Sequence, residues 1–200
     1  LRLLLCGRVK EQSPKTLLDA GCGEGYYTEG LSAALAQGEL WGVDISKEAL
    51  VCAGKRLKGK AKLAVASIYG LPFEDGCFVT LTFSPYSGEE YRRVLKENGL
   101  LYMVIPGPQH LWELKEVLYE RPYENEVRDR SLPGFEYLSE DRISYTREVQ
   151  GEDLQNLFRM TPYFYRTPQE GRERAKACSA LALTMEFHLL RYRKAETDKR

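Results

Sequence analysis

Leu17-Leu18-Asp19-Ala20-Gly21-Cys22-Gly23-Glu24-Gly25-Tyr26-Tyr27-Thr28 is the stretch on which the fold turns. A short apolar run ends beside an acid, three alternating glycines follow, and a helical pattern begins. Glycine lets the backbone take positive φ and lets a ligand approach the main chain closely. A helix N-terminus beyond such a turn offers N–H groups with no partner inside the helix. Dinucleotide-binding turns read G-x-G-x-x-G, because the pyrophosphate rests on the helix N-terminus. Here the third glycine comes one position early, and Tyr26 occupies its place. A plain left-handed turn between strand and helix is the simpler alternative, but it needs neither three glycines nor the upstream Asp19.

Outward from this loop, strands and helices alternate. The spacing predicts a lead-in helix over Leu1–Lys10, broken by Ser13-Pro14. Strands are expected at Thr16–Ala20, Leu40–Val43, Leu63–Ala66, Val79–Phe83 and Leu100–Ile105. Helices are expected at Tyr26–Gln37, Lys47–Leu57 and Glu89–Leu95. This β-α pitch argues for an α/β fold with a mostly parallel sheet, helices on both faces and right-handed crossovers. Beyond Pro106-Gly107-Pro108, helices are expected at Gln109–Tyr119 and Gly151–Met160, and strands at Tyr137–Val149 and Thr184–Arg193. The expected organisation is one domain over residues 1–200, with a lead-in segment at 1–15, a charged loop insertion at 120–134 and a disordered tail at 194–200.

Composition narrows the functional classes. At 43% hydrophobic and 29% charged residues the chain is ordinary globular material, neither collagen-like nor disordered. Twenty-nine basic and twenty-nine acidic residues cancel, so attraction to nucleic acid must come from local patches. No apolar run reaches the ~18–20 residues that span a bilayer, so no membrane partner is expected. The five cysteines (6, 22, 52, 77 and 178) have no zinc-knuckle spacing, and reduced thiols suit a cytoplasmic protein without a metal. The chain opens on Leu1 rather than Met, which leaves room for an upstream segment.

The G-x-G-x-G turn with an upstream carboxylate suits a zwitterionic amino-acid ligand better than a pyrophosphate. It is the motif of class I S-adenosylmethionine-dependent methyltransferases, a Rossmann-like fold, which makes Asp19, Gly21, Gly23 and Gly25 candidate cofactor contacts. Trp41-Gly42-Val43-Asp44-Ile45-Ser46 ends the second strand with an acid nineteen residues after Gly25. Ribose hydroxyls would lie there. Ser46 fits the cap of the next helix, which leaves Asp44 for the ribose. Ser67, after the third strand, is a candidate adenine contact or a turn cap. Leu71-Pro72-Phe73 beyond it would wall the adenine or join the core.

Taken in order, Gly21-Cys22-Gly23-Glu24-Gly25-Tyr26-Tyr27-Thr28, Val43-Asp44-Ile45-Ser46-Lys47, Leu71-Pro72-Phe73, Pro106-Gly107-Pro108-Gln109-His110-Leu111, Glu113-Leu114-Lys115 and Met160-Thr161-Pro162 carry a narrower likeness. Together they resemble the RlmA-type 23S ribosomal RNA (guanine-N1)-methyltransferases over roughly residues 1–193. The first motif is shared by the wider class; the Pro-Gly-Pro-x-His and Met-Thr-Pro blocks are specific. The resemblance implies methyl transfer to N1 of a guanine in a 23S ribosomal RNA hairpin. It also implies a homodimer and cofactor contacts by Gly23, Glu24 and His110. That family also carries an N-terminal zinc domain, and residues 1–10 match only the helix just before its methyltransferase strand. Around Gly76–Phe83 the chain is shorter than the family pattern.

In-line methyl transfer asks the protein mainly to align its reactants, but the guanine N1 proton must leave. Glu89, Glu90, His110 and Glu113 are candidate acceptors, with no choice among them. His110 is expected in the first turn of a helix. Ser84-Pro85-Tyr86 offers a stacking platform for a splayed base, or a turn with a buried Tyr. Lys55, Arg56, Lys58, Lys60 and Lys62 form a basic run, and residues 161–166 interleave aromatics with a base. Phosphate contact plus stacking is what RNA binding uses; a solvated helix end and a core cluster are the plainer alternatives. A small-molecule methyltransferase and a non-catalytic cofactor- or RNA-binding module are the competing functions.

Overall fold

The computed structural model describes residues 1–35, 37–82, 86–126 and 129–196. Its elements are α1 (Arg2–Gln12), β1 (Thr16–Ala20), α2 (Tyr26–Ala34), β2 (Glu39–Asp44), α3 (Lys47–Leu57), β3 (Lys62–Val65), β4 (Val79–Thr82), α4 (Gly88–Val94) and β5 (Leu100–Pro106), then α5 (Trp112–Leu118), β6 (Phe135–Gln150), α6 (Gly151–Met160), α7 (Tyr163–Arg166), α8 (Gln169–Ala177) and β7 (Ala180–Lys194). They divide into two compact units. The first holds Leu1–Ile105, Asp129–Asp141 and Leu189–Arg200; the second holds Pro106–Arg128 and Arg142–His188.

In the first unit the sheet order is β3-β2-β1-β4-β5-β7-β6. The pairings of β1 with β2 and β4, of β2 with β3 and of β4 with β5 are parallel. Leu17, Leu18 and Ala20 are fully buried, as a central strand covered on both faces requires. After β3 the chain returns across the sheet to lay β4 on the other side of β1. The strand order therefore reverses at the C-terminal end of β1, where open α/β sheets bind their ligands. The glycine loop leaves β1 at this point.

The expectation of a mostly parallel sheet holds for β1 to β5 and needs correction beyond them. Gly134 lies opposite Ala195 and Ser179 opposite Gly151, so β6 and β7 run antiparallel. Their partly alternating exposed and covered positions suit a pair with one solvated face. In the sequence these two stretches alternate weakly, unlike the short apolar runs of the earlier strands, and their pairing reveals the reversal.

Helix α1 is the expected lead-in, set by Leu5 and Val9 on its buried face. Arg2 pairs with Glu29 of α2 at 3.1 Å, and Arg8 grips Asp141 of β6 with two bonds of 2.8 and 2.5 Å. A Cβ on Gly30 would sit 2.5 Å from Arg2 Nε, so α1 and α2 meet closely through that glycine. The first core gathers Leu18, Val43, Tyr91, Leu101 and Tyr192.

The second unit packs α5, α6 and α8 around Leu111, Leu114, Leu118, Leu154, Phe158, Ala175 and Leu183. Its α7 and α8 were not expected. In α8, Gln-Glu-Gly-Arg-Glu-Arg-Ala-Lys-Ala, only Gly171 and Ala175 are buried, so there is no apolar period to read. The helix seats by backbone approach: a Cβ on Gly171 would lie 2.2 Å from the Leu118 carbonyl. No helix among the described residues is long and apolar enough to cross a membrane, and all five cysteines are unpaired. Of the expected tail at 194–200, residues 197–200 lie outside the described residues.

Candidate active site

The glycine loop is folded back on the end of β2. The N–H groups of Gly21 and Cys22 both donate to the Val43 carbonyl, at 2.7 and 3.0 Å, and that of Gly25 donates to the Cys22 carbonyl at 3.0 Å. Gly21, Gly23 and Gly25 have φ of 77°, 53° and 77°. L side chains rarely adopt this conformation. The glycines nevertheless differ in what surrounds them. A Cβ on Gly25 would meet Ala53 and Leu57 of α3 at 3.2 and 3.3 Å, whereas one on Gly23 would meet nothing within 4 Å. Gly25 thus lets the loop pack on α3, and Gly23 borders open space. Gly25 is also the N-cap of α2 and brings no side chain to cap its first turn.

Two carboxylates flank this loop. Asp19 is 2% exposed, and the Thr28 hydroxyl donates to its Oδ2 at 2.6 Å. Burial pushes its carboxyl up to about 6; the Thr28 bond opposes that rise and the nearby Asp44 adds to it. Asp44 was expected to be free once Ser46 capped α3. Ser46 does cap, accepting from the Ala49 N–H at 3.1 Å. Asp44 is nevertheless engaged: Oδ2 accepts from the Gly23 N–H and Oδ1 from the Ser46 N–H, each at 2.8 Å. A carboxylate has about four lone-pair positions, so each oxygen keeps capacity for a further donor. Burial first, then Asp19 and Asp44, push the Cys22 thiol up to about 12. The loop is therefore a pocket of negative field with an open glycine, suited to a cationic ligand. Glu24 is exposed, and its carbonyl accepts from Arg56 Nε at 3.0 Å.

Ser67 lies two residues beyond β3 and forms a turn, its Oγ accepting from the Tyr69 N–H at 3.2 Å. Leu71 and Phe73 belong to the core, Phe73 lying edge-on to Trp41 and Phe78. Glu90 accepts from the Leu71 N–H at 2.6 Å, while Arg93 bonds the Leu71 and Phe73 carbonyls and both oxygens of Glu90. Arg93 holds the Glu90 carboxyl below its ordinary range. Glu90 is thus a fastening for this loop, and a poor proton acceptor.

The other motif block lies in the second unit. His110 sits in the turn before α5, not in its first helical turn, because Leu111 at φ 58° delays the helix to Trp112. Its Nδ1 is buried without a hydrogen-bond partner, and the Phe187 ring lies tilted against it with centroids 4.5 Å apart. Burial pushes the imidazole down to about 4, so it is neutral at physiological pH. Glu113 accepts from both the N–H and the hydroxyl of Thr184, at 2.7 and 2.6 Å. Burial alone would raise its carboxyl, but these bonds outweigh it and lower it. Glu186 accepts from the Gln109 N–H at 2.6 Å, and Asn125 donates to the Gly107 carbonyl at 2.8 Å. Lys115, fully buried, donates to Asn125 Oδ1 at 2.7 Å and the Tyr123 carbonyl at 2.9 Å beneath the rings of Tyr123 and Tyr163. Lys115, Asn125 and Glu186 were missed as fastenings of the His110 turn. Lys115 could have been found, since it falls at i+4 from Leu111 on the apolar face of α5.

The remaining candidates divide. Tyr86 packs against Tyr91 and Phe135 as a half-buried core residue, while Ser84 and Pro85 lie outside the described residues. Tyr163 and Phe164 join the second core, whereas Met160 and Tyr165 are 84% and 80% exposed. In the basic run Lys62 pairs with Glu39, and Lys55, Lys58 and Lys60 face solvent. Glu89 is exposed on α4.

Comparison with known proteins agrees with this geometry. A methyltransferase-domain family profile matches residues 17–99, which include the glycine loop and Asp44. YxjB of Bacillus subtilis strain 168, provisionally named a 23S rRNA (guanine-N1)-methyltransferase, is 30% identical over 88% of this chain and 65% of its own length. The 23S rRNA (guanine(748)-N1)-methyltransferase of Streptomyces fradiae is 28% identical over 75% of this chain and 56% of its own. The chain thus spans under two thirds of the length of these relatives. Among solved structures, BH2331 of Bacillus halodurans C-125, provisionally named a methyltransferase, superposes with a TM-score of 0.62 at 16% identity, covering 97% of this chain and 99% of that one. Over residues 17–99 the chain is similar to the methyltransferase-domain family, in its fold to solved methyltransferase structures, and over most of its length to proteins named 23S rRNA (guanine-N1)-methyltransferases.

Proposed function

We propose that this chain transfers a methyl group from S-adenosylmethionine to N1 of a guanine in a 23S ribosomal RNA hairpin. The observation that carries the cofactor half is the open flank of Gly23 between Asp19 and Asp44. A phosphate would be repelled there; a sulfonium and an ammonium would be attracted. The bound cofactor supplies an activated methyl group and its own leaving group. The chain supplies alignment. Gly21, Gly23 and Gly25 shape the cradle, Asp19 offers negative charge from below, and Asp44 accepts from the ribose hydroxyls. Glu24 and Ser67 border it, Ser67 with its hydroxyl proton toward the adenine. The role of His110 rests on the resemblance.

The RNA half is supported by the relatives named for that reaction and by the surface. Lys55, Lys58 and Lys60 are solvated cations on the first unit. On the second, Met160 and Tyr165 are exposed apolar groups beside exposed Arg159 and Arg166. Stacking plus phosphate contact is the pattern that single-stranded RNA needs. Of the four candidate acceptors for the N1 proton, Glu90 and Glu113 are held below the ordinary carboxyl range by their hydrogen-bond partners and are poor bases, which leaves neutral His110 and exposed Glu89.

Incubating the chain with tritiated cofactor and unmodified large-subunit RNA tests the reading. Label in the RNA and a primer-extension stop at one guanine are expected, since N1 methylation blocks pairing. Cofactor binding with no RNA labelled would favour a small-molecule methyltransferase or a binding module.

A further inference from the structure

At the opposite edge of the parallel strands from the glycine loop, the first unit carries an open cleft of about 430 Å³. Gln12 at the end of α1, Asn98 and Leu100 at the start of β5, Leu138 of β6 and Arg191 and Arg193 of β7 line it. Nothing in the proposed reaction uses these groups. Tyr192 between the two arginines is buried in the core, so strand alternation turns both arginines to the other face. Residues two apart on a strand are separated by about 6.6–6.8 Å. That separation is comparable with the interval between neighbouring phosphates of a polynucleotide.

The arginines are unequal. Arg193 has a carboxylate partner, Glu136, at 3.4 Å, and both are largely solvated. Arg8, the other guanidinium of this region, is taken by Asp141 and Glu11. Arg191 has no ion-pair partner among the described residues, and its Nε is buried without a hydrogen bond. The buried Tyr102 hydroxyl lies beside it and interacts with the guanidinium. The buried Nε faces the Tyr102 hydroxyl, and no carboxylate among the described residues lines the cleft to neutralise the guanidinium. Two guanidiniums and two side-chain amides provide donors in a fork that matches phosphate oxygens.

We propose that this cleft is a phosphate-binding site, with Arg191 as its anchor and Arg193, Gln12 and Asn98 as its rim. Leu100 and Leu138 add apolar lining. The phosphate is either that of an RNA backbone held away from the reacting base or that of a small phosphorylated molecule.

The test titrates the cofactor-free chain at fixed ionic strength, in separate arms, with inorganic pyrophosphate and with an unstructured single-stranded RNA oligomer. Wild type, Arg191→Gln and Arg193→Gln are compared, with thermal melts to verify folding. Arg191→Gln should weaken pyrophosphate at least tenfold. Arg193→Gln, on the exposed rim, should weaken it about threefold and keeps the test alive if the first variant does not fold. A parallel loss of RNA affinity identifies the RNA backbone as the source; intact RNA affinity with lost pyrophosphate identifies a small phosphorylated ligand. Either result supports the site. No saturable pyrophosphate binding by wild type, or unchanged affinity in both folded variants, overturns it. Neither arm requires the methyl donor, so the outcome is separable from that of the proposed reaction.

Discussion

The glycine loop and the His110 turn are both glycine-bearing turns after a strand, yet they are stabilised in different ways. The loop is held by its own neighbourhood: the Val43 carbonyl, Asp44 and Thr28 meet it through the adjacent strand and the helix it opens. Its Gly23 side is left open. The His110 turn is closed from outside by Asn125, fifteen residues on, and by Glu186, more than seventy residues on. A Cβ on Gly107 would strike Glu186 at 2.4 Å. One turn is shaped to receive something, and the other is shaped to be locked. The comparison teaches that a glycine motif reads as a binding site only when the space beside the glycine is empty.

Substitution within the loop should break this contrast most sharply. Gly23→Val is expected to reduce cofactor affinity by more than a hundredfold in calorimetry, while its positive φ costs the fold only about 1–2 kcal/mol. Gly25→Val should do the reverse damage first, since it drives a side chain into α3, and should lose about 2 kcal/mol or more in urea unfolding. Equal stability losses in the two variants would erase the distinction between an open and a packed glycine.

On the locked side, Lys115→Met strips a donor from Asn125 Oδ1 and the Tyr123 carbonyl. Losing these two part-buried bonds from a charged donor costs about 1.5–3 kcal/mol, with the Tyr163 hydroxyl still donating to Asn125 Oδ1. Hydrogen exchange should rise across residues 107–125, and a variant that keeps full protection there would show that the lysine is not the fastening.

The pH dependence sharpens the comparison further. Asp19 is raised in the folded chain from 3.8 to about 6, so between those values the folded state binds more protons than the unfolded one. Stability from this group is full below about pH 4 and is lost as pH rises through about 6. At pH 7 the buried charge costs on the order of 2–3 kcal/mol. Asp19→Asn should therefore raise the melting temperature and weaken cofactor binding at pH 7, and make little difference to either at pH 4, where the wild-type carboxyl is already neutral. Cofactor affinity of the wild type should decline as pH falls below about 6. A stabilised variant that bound cofactor normally would show that the buried carboxylate is not there for the ligand.

The smallest expected effect is at Glu90. Glu90→Gln loosens the Arg93 fastening by about 1 kcal/mol but leaves the pH profile of methyl transfer unchanged. A lost acidic limb, where activity rises as the base deprotonates, would restore Glu90 as a proton acceptor.

The fold was legible wherever the signal was local. Strand β1 and helices α3 and α6 begin and end where the apolar pattern and the caps place them. It was illegible where burial came from backbone contact or from distant partners. Helix α8 has Gly171 and Ala175 in place of a hydrophobic face, and β7 starts four residues before the apolar run suggested. At the site, the glycines, Asp19 and Ser46 could be read from spacing. The double engagement of Asp44 depends on how the loop folds over β2 and could not. The same holds for Glu90 and Glu113, which look like bases in sequence and are occupied in the fold.

A crystal structure of the chain soaked with S-adenosylhomocysteine examines the central claim most directly. The account predicts the ligand against the open face of Gly23, its ribose hydroxyls on Asp44 and its amino group toward Asp19. Ordered ligand elsewhere in the molecule, with the space beside Gly23 still empty, would contradict it.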